Sequence, residues 1–399
     1  METAYIVDIL RTPIGKYGGS LSSVRPDDLA AHVISELIKR TPSLDLNQIE
    51  DVIFGAANQS GEDNRDVARM ASLLAGLPTS VAGVTVNRLC ASGLQAIMDA
   101  SRGIMTGTGD SFIAGGVESM SRAPFVMPKS EEPFSRKAEV YDTTLGWRFI
   151  NPALSKLYYP YTMGETAENV AEKFKITREQ QDQFGLSSQQ KYFKAEAANR
   201  FKEERTSVSY KKGKEIVALD RDEYPRETSM EKLAALKTPF REDGSVTAGN
   251  SSGINDGAAA CIIVNGKILK QLNVKPMARV VSMAVAGVDP AFMGIGPVPA
   301  TQKALQRAGL KISDLGLVEL NEAFASQSLA CIRELELNSD IVNVNGGAIA
   351  IGHPLGCSGV RISATLIHEM IKRKVKYGLA TMCIGVGQGA AVIYENLRS

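Results

Sequence analysis

Val84-Thr-Val-Asn-Arg-Leu-Cys-Ala-Ser-Gly-Leu-Gln-Ala96 and Val342-Asn-Val-Asn-Gly-Gly-Ala-Ile-Ala-Ile-Gly-His-Pro-Leu-Gly-Cys-Ser-Gly359 read as two versions of one pattern. Each begins as a Val-x-Val-Asn strand that ends at Asn87 or Asn345, turns, and enters a helix through Ser-Gly. The loop of the second version is longer and holds His353. Outward from these stretches the repetition continues. Upstream of the first, Pro26 to Lys39 has apolar residues at 29, 33, 37 and at 30, 34, 38, the spacing of an amphipathic helix with an Asp start. A linker and a strand follow it, through Leu46 to Gly55. Upstream of the second, Pro299 to Gly309 and then Ile312 to Asn321 repeat helix, linker and strand. Downstream, each helix leads to a strand of small residues, Ser111 to Val117 and Gly378 to Gly385. The pattern predicts two related α/β halves packed together, with the second-half loops close to Cys90.

Between them, residues from about 120 to 250 are richer in charge, aromatics and proline, interrupted by a helical stretch from Thr166 to Phe201. This reads as an insertion or lid, the kind of segment that shapes a substrate site. At 399 residues the chain exceeds one ordinary core. Apolar residues at 44% and charged residues at 22% are those of a globular protein, and a net charge of +1 implies no polyanion-binding field, so no nucleic-acid partner. No apolar run is long enough to span a membrane. The chain enters directly as a strand at Ala4, unlike a secretory signal, and Glu395 to Ser399 matches neither a peroxisomal nor a reticulum address. A cytoplasmic location is the expectation.

Five scattered cysteines without a C-x-x-C pair disfavour disulfides and structural zinc. Cys261 and Cys331 read as packing in a strand and a helix, and Cys357 follows the histidine loop. Cys90 falls at or just before a helix N-terminus, where the dipole and free amides favour a thiolate nucleophile. Of the three histidines, His32 and His368 read as solvated, whereas His353 sits among glycines and can take a thiol proton. Cys383 precedes glycines at 385, 387 and 389, whose backbone amides suit an oxyanion. A dinucleotide loop is excluded there, because no βαβ unit follows. Asn321 ends a strand on an amide able to position a water or a carbonyl. A nucleophilic thiol, an activating imidazole and a second thiol fit carbon–carbon bond chemistry on thioesters; a hydrolase would need only one thiol.

These segments resemble the thiolase family over essentially the whole chain, most specifically at Cys90-Ala-Ser-Gly, Asn321-Glu-Ala-Phe, Gly352-His-Pro and Cys383-x-Gly-x-Gly-x-Gly. The resemblance implies the α/β thiolase fold, two βαβαβαββ halves in five αβαβα layers. It divides the chain into residues 1–120 with 251–269, an inserted loop domain at 121–250, and 270–399. It also implies a homodimer or homotetramer, coenzyme A as a substrate, and no cofactor or metal. Cys90 becomes the acylated nucleophile, His353 its activator and Cys383 the acid/base at the α-carbon. One oxyanion hole is formed by His353 and a water on Asn321, the other by the amides of Cys90 and Gly385. Ser252 and Ala248 match the pantetheine-binding segment, and Met163 and Phe324 line that tunnel.

The implied reaction is thiolysis of a 3-ketoacyl-CoA. The stretches Ser121 to Met127 and Phe134 to Pro152 look most like the degradative branch acting on 3-oxoadipyl-CoA. A carboxylate-ended chain needs a cation in its pocket, and Arg136 and Arg148 stand in those stretches. Thr162 replaces the histidine that many short-chain members carry before Met-Gly, which weakens an acetoacetyl-CoA-forming alternative. A non-catalytic acyl-CoA or lipid-binding scaffold is the alternative of another class, and the presence of all four reactive side chains argues against it.

Overall fold

In the computed structural model, which describes residues 2–398, the first half runs β1 (Tyr5–Arg11), β2 (Gly15–Lys16), α1 (Pro26–Arg40), β3 (Asp51–Gly55), α2 (Val67–Leu74), β4 (Ala82–Val86), α3 (Ser92–Thr106) and β5 (Ser111–Ser119). The middle carries β6 (Phe125–Val126), β7 (Tyr141–Asp142), α4 (Pro152–Leu157), α5 (Met163–Lys173), α6 (Arg178–Ala197), the hairpin β8 (Val208–Lys212) and β9 (Glu215–Leu219), and α7 (Met230–Ala234). Then come β10 (Asn255–Val264) and α8 (Gly266–Leu272). The second half runs β11 (Ala278–Gly287), α9 (Pro297–Ala308), β12 (Leu317–Leu320), α10 (Ala325–Glu334), α11 (Ala348–Ile351), α12 (Leu355–Arg373), β13 (Tyr377–Ile384) and β14 (Gln388–Asn396).

Strands β4-β3-β5-β10-β1 form one sheet and β12-β13-β14-β11 the other, joined edge to edge at Tyr5↔Arg279 and Ile6↔Ala278. Beyond β12, Val342 adds a single parallel bridge to Val318. Leaving out the two-residue β2, which lies off this path, and letting the Val342 bridge stand for the third strand of the second half, both sheets have the spatial order third, second, fourth, fifth, first. The first half is a βαβαβαββ unit, and the second repeats it with the Val342 bridge in place of its third strand. The helices α3 and α12 lie between the sheets and share one core with both, including Leu94, Ile97, Ile104, Val360, Ile367 and Met382. Helices α1 and α2 cover the far face of the first sheet, and α9 and α10 that of the second. This is the five-layer αβαβα architecture of the thiolase fold. β5 and β10 are buried at every residue, which explains their runs of small and apolar side chains in place of alternation.

Two expectations, on Val342 to Asn345 and on the histidines, are corrected, and the helical stretch is resolved into its helices. The stretch Val342 to Asn345 is not a strand beyond its one bridge. Asn343, at φ 45°, uses its side chain instead: Oδ1 accepts from Leu320 N–H (2.9 Å), and Nδ2 donates to Leu320 C=O and to Glu322, both at 2.8 Å. A side-chain amide thus takes the hydrogen bonds that a strand neighbour would have made. The helical stretch from Thr166 to Phe201 is two helices, broken where Lys175 adopts φ 52° and Thr177 caps α6 in a capping box with Gln180. His368 is buried and meets the Ile9 carbonyl at 3.0 Å through Nε2, and His32 is half-buried. α12 is buried all round from Gly356 to Met370, so a heptad partner of Arg361 finds no water.

The inner helices meet backbone to backbone. A Cβ on Gly93 would lie 2.5 Å from Gly356 O, one on Gly359 2.1 Å from Leu94 N, and one on Gly116 2.0 Å from Gly356 O. Gly359→Ala should therefore cost about 3 kcal/mol or more, since backbone cannot yield as a side-chain tip can. Gly266→Ala, where the nearest atom is 3.9 Å away, should leave the thermal midpoint within about 1 °C. Equal midpoints for the two variants would contradict the tight crossing.

Candidate active site

Cys90 and His353 each stand two residues before the first residue of an inner helix, Ser92 of α3 and Leu355 of α12. The turn ahead of α3 is tight. Leu89 takes φ 47°, its N–H donates to Asn87 Oδ1 (2.8 Å), and the Ser92 hydroxyl donates to Leu89 C=O (2.6 Å). The thiol is partly exposed, yet burial of the sulfur pushes its pKa up to about 11, opposed by the facing Gly385 amide. The helix start leads one to expect a thiolate; desolvation outweighs the lowering by the Gly385 and Cys90 amides and favours the thiol at rest.

His353 is buried, and its loop is held from two sides. Its backbone N–H donates to Asn255 Oδ1 (2.9 Å), and Gly352 before it needs both φ 115° and the absence of a Cβ, which would strike the Asn255 side chain at 2.5 Å. The Ser358 hydroxyl donates to Pro354 C=O (2.8 Å), so it must accept from His353 Nδ1 (2.6 Å). That fixes the tautomer, with the proton on Nδ1 and the Nε2 lone pair free. Burial, with the charge of Arg361 adding to it, lowers the imidazole pKa to about 3. The ring is a neutral base.

Cys383 ends β13 and is buried; burial first, then the neighbouring Cys90, raises its thiol well above the usual range. The hairpin after it is strained at Val386, a β-branched residue at φ 62°. Its glycines divide the work. Gly387 and Gly389 pass against Val288 O and Gly296 O, where a Cβ would lie at 2.3 and 1.9 Å, whereas a Cβ on Gly385 would meet only the Leu89 and Met163 side chains, at 3.4 and 3.6 Å, and its amide turns to Cys90. Cys383 shares an apolar cluster with Phe324, Met163, Ala167, Val246, Met293 and Ala323. Asn321 lies at the end of β12 with Nδ2 3.4 Å from both ring nitrogens of His353.

Beside Phe324 runs the turn that holds Ala248 and Ser252. Ser252 N–H donates to Ala323 C=O (3.0 Å), and Ala248 is exposed with its carbonyl accepting from Arg226 (3.0 Å). Thr162 caps α5 in a box with Glu165, so its hydroxyl already serves the helix. Arg148 is half-buried, and Arg136 lies in the exposed run 127–140; neither has an ion pair among the described residues. Among those residues no cluster of three or more His, Cys, Asp or Glu could hold a metal, and no helix is long and apolar enough to cross a membrane. A basic cleft of about 580 Å³ opens elsewhere, lined by Lys191, Lys194, Arg200, Lys372 and Arg373. Its arginines are engaged with Glu369, and Lys191 and Lys372 with backbone carbonyls, near the last turns of α6 and α12.

Sequence reasoning missed Ser358, Asn255 and Glu118. Glu118, at the end of β5, accepts from the backbone N–H groups of Ala57 (2.9 Å), Asn58 (3.1 Å) and Gly356 (2.8 Å), tying the first half to the start of α12. Burial lifts its carboxyl to about 7. For Ser358 a signal existed: it aligns with Ser92 in the repeated Ser-Gly.

Comparison with known proteins shows the family. The family description "Thiolase, N-terminal domain" matches residues 4–267 and "Thiolase, C-terminal domain" residues 274–396. The chain therefore belongs to the thiolase family, and it is an acyltransferase. It is 57% identical over 401 residues to the 3-oxoadipyl-CoA/3-oxo-5,6-dehydrosuberyl-CoA thiolase of Escherichia coli (strain K12), covering 100% of both chains. It is 53% identical to the beta-ketoadipyl-CoA thiolase of Pseudomonas putida, again covering 100% of both. Among solved structures, the Bacillus anthracis acetyl-CoA acetyltransferase superposes with a TM-score of 0.94 at 40% identity, over 100% of this chain and 99% of that one.

A thiol resting this high in pKa reacts only through its minor thiolate form. In a Cys383→Ser background, iodoacetamide labelling of Cys90, followed by peptide mass, should quicken about tenfold per pH unit from about pH 7 to about pH 9. A rate already flat at pH 7.5 would instead mean a thiolate at rest.

Proposed function

We propose that this enzyme cleaves 3-oxoadipyl-CoA with coenzyme A, giving succinyl-CoA and acetyl-CoA. The reading is carried by the full-length similarity to the enzyme of that name, at 57% identity. The geometry around Cys90 supports it. His353 Nε2 takes the Cys90 proton and the sulfur attacks the C3 carbonyl. The amides of Cys90 and Gly385 stand beside that sulfur and receive the carbonyl oxygen, each such donor contributing about 3–4 kcal/mol. The C2–C3 bond breaks and its electrons pass to C2 as the enolate of acetyl-CoA. His353 and a water held by Asn321 stabilise that oxygen, and the Cys383 thiol protonates C2, a transfer contributing about 10²–10⁴ in rate. Coenzyme A then enters, gives its thiol proton to the Cys383 thiolate, and attacks the succinyl thioester. Cys90 leaves and regains its proton from the imidazolium.

Met163, Phe324, Ala248 and Ser252 would lie along the pantetheine, and residues 121–250 would form the loop domain that carries most of this surface. Arg148, half-buried and free of any ion pair among the described residues, is the better placed cation for the terminal carboxylate. The capping role of Thr162 speaks against an acetoacetyl-CoA-forming enzyme. A homodimer would form along β4, the outer strand of its sheet, where Val84 is 40% exposed and Leu73 and Leu74 of α2 are exposed too.

Cys90→Ala should abolish both thiolysis and the acetyl adduct that acetyl-CoA leaves on the protein, read by intact mass. Cys383→Ser should still reach the adduct, at a lower rate because Cys383 exchanges the coenzyme A thiol proton, while losing most turnover, because acyl transfer to sulfur moves no proton at C2. Equal loss of both steps would make Cys383 structural. For the substrate, Arg148→Met should lower kcat/KM on 3-oxoadipyl-CoA by about 100-fold and leave a neutral 3-ketoacyl-CoA of similar length nearly unchanged. A native enzyme that preferred the neutral substrate would overturn the dicarboxylate reading.

A further inference from the structure

The side-chain amide of Asn321 has a donor end and an acceptor end of nearly the same shape, and something must decide which one faces His353. Arg361 is the group in contact with it. It projects from α12 and is fully buried. Its Nη2 reaches Asn321 Oδ1 at 3.4 Å, and its Nη1 lies 3.6 Å from Glu319 Oε2. Nε and Nη1 have no hydrogen-bond partner, so the contact with Asn321 is the one hydrogen bond this guanidinium makes among the described residues. An arginine kept for structure alone would be expected to spend more of its five donors.

A guanidinium carries donors and no acceptor, so only the carbonyl oxygen of the amide can face it. The Nδ2 end is then turned toward His353, where it lies 3.4 Å from both ring nitrogens. Glu319 and Asn321 stand two apart at the end of β12, which puts both on the side along which α12 runs. We propose that Arg361, steadied by Glu319, is a positioning residue: it locks Asn321 with Oδ1 toward the helix and Nδ2 toward His353 and the water that meets the reacting enolate. This inference rests on the role given to Asn321 under the proposed function. Its consequence is specific to bond cleavage, since capture of an acyl group on Cys90 uses the amides of Cys90 and Gly385 instead.

Arg361→Gln offers an amide that can accept as well as donate, so the lock is lost. Arg361→Lys keeps a donor-only cation. Arg361→Gln should lower kcat for thiolysis by about tenfold, equal to about 1.4 kcal/mol, with KM for coenzyme A within about twofold and the acetyl adduct on Cys90 unchanged in extent. Arg361→Lys should recover most of that loss. Asn321→Ala should cost about 10²-fold, and the double variant Arg361→Gln/Asn321→Ala should be no slower than Asn321→Ala alone. Additive losses in the double variant, or parallel losses in adduct formation, KM and kcat, would overturn the proposal. Should Arg361→Gln not fold, Glu319→Gln replaces it: a smaller kcat loss that vanishes in the Asn321→Ala background supports the lock, and one that persists there refutes it. Wild-type turnover in Asn321→Ala would defeat the reading of Asn321 itself, whereas a slow Asn321→Ala beside a normal Arg361→Gln defeats the lock alone.

Discussion

Two helices that touch without side chains between them determine where everything else in this enzyme sits. Gly93 on α3 and Gly356 and Gly359 on α12 bring backbone against backbone, so the two N-termini arrive at one place. Each reactive group that precedes a helix, Cys90 or His353, is delivered there by its own half. The hairpin after β13 and the end of β12 complete the site from the second sheet. A methyl group at any of these glycines would push the halves apart, and the chemistry depends on positions fixed to a fraction of an ångström.

Layering has an electrostatic consequence. The part of α12 enclosed by both sheets leaves little water for polar side chains, so the buried Arg361 and His368 turn to Asn321 and to the Ile9 carbonyl. Burial also decides the resting protonation. The Cys90 thiol is pushed up to about 11 and the His353 imidazole down to about 3, which makes a neutral pair the ground state. In the proposed mechanism, charge appears when a proton moves from sulfur to nitrogen, at the moment a substrate carbonyl is present to accept the sulfur. In the apolar surroundings of Met163 and Phe324, oriented amides then act on that charge more strongly than water-exposed ones would.

The halves share one strand order and diverge where they contribute chemistry. Glu118 and Cys383 each lie two residues beyond the last parallel pair of their strand, Gly55↔Gly116 and Leu320↔Thr381. One became a carboxylate that binds the start of α12, and the other a thiol facing Cys90. Where α3 has a cysteine two residues before its Ser-Gly, α12 has Gly356, whose carbonyl packs on Gly93 and Gly116. The strand of the second half that should match β4 has given way to the Asn343 side chain.

Much of this was legible from residue order alone. Local periodicity, Ser-Gly helix starts and runs of small residues specified two α/β halves, because strands and helices are set by neighbours in the chain. Cys90, His353, Cys383 and Asn321 stood out because polar residues at strand ends and in glycine loops have no packing reason to be there. What could not be read were properties set by residues far apart in sequence. The direction of the Cys90 pKa, the buried fate of His368 and the tautomer fixed by Ser358 all follow from how deeply the layers enclose them. The contact of Arg361 with Asn321 joins positions 40 residues apart. Desolvation and side-chain pairing depend on the third dimension, and only the packed fold decides them.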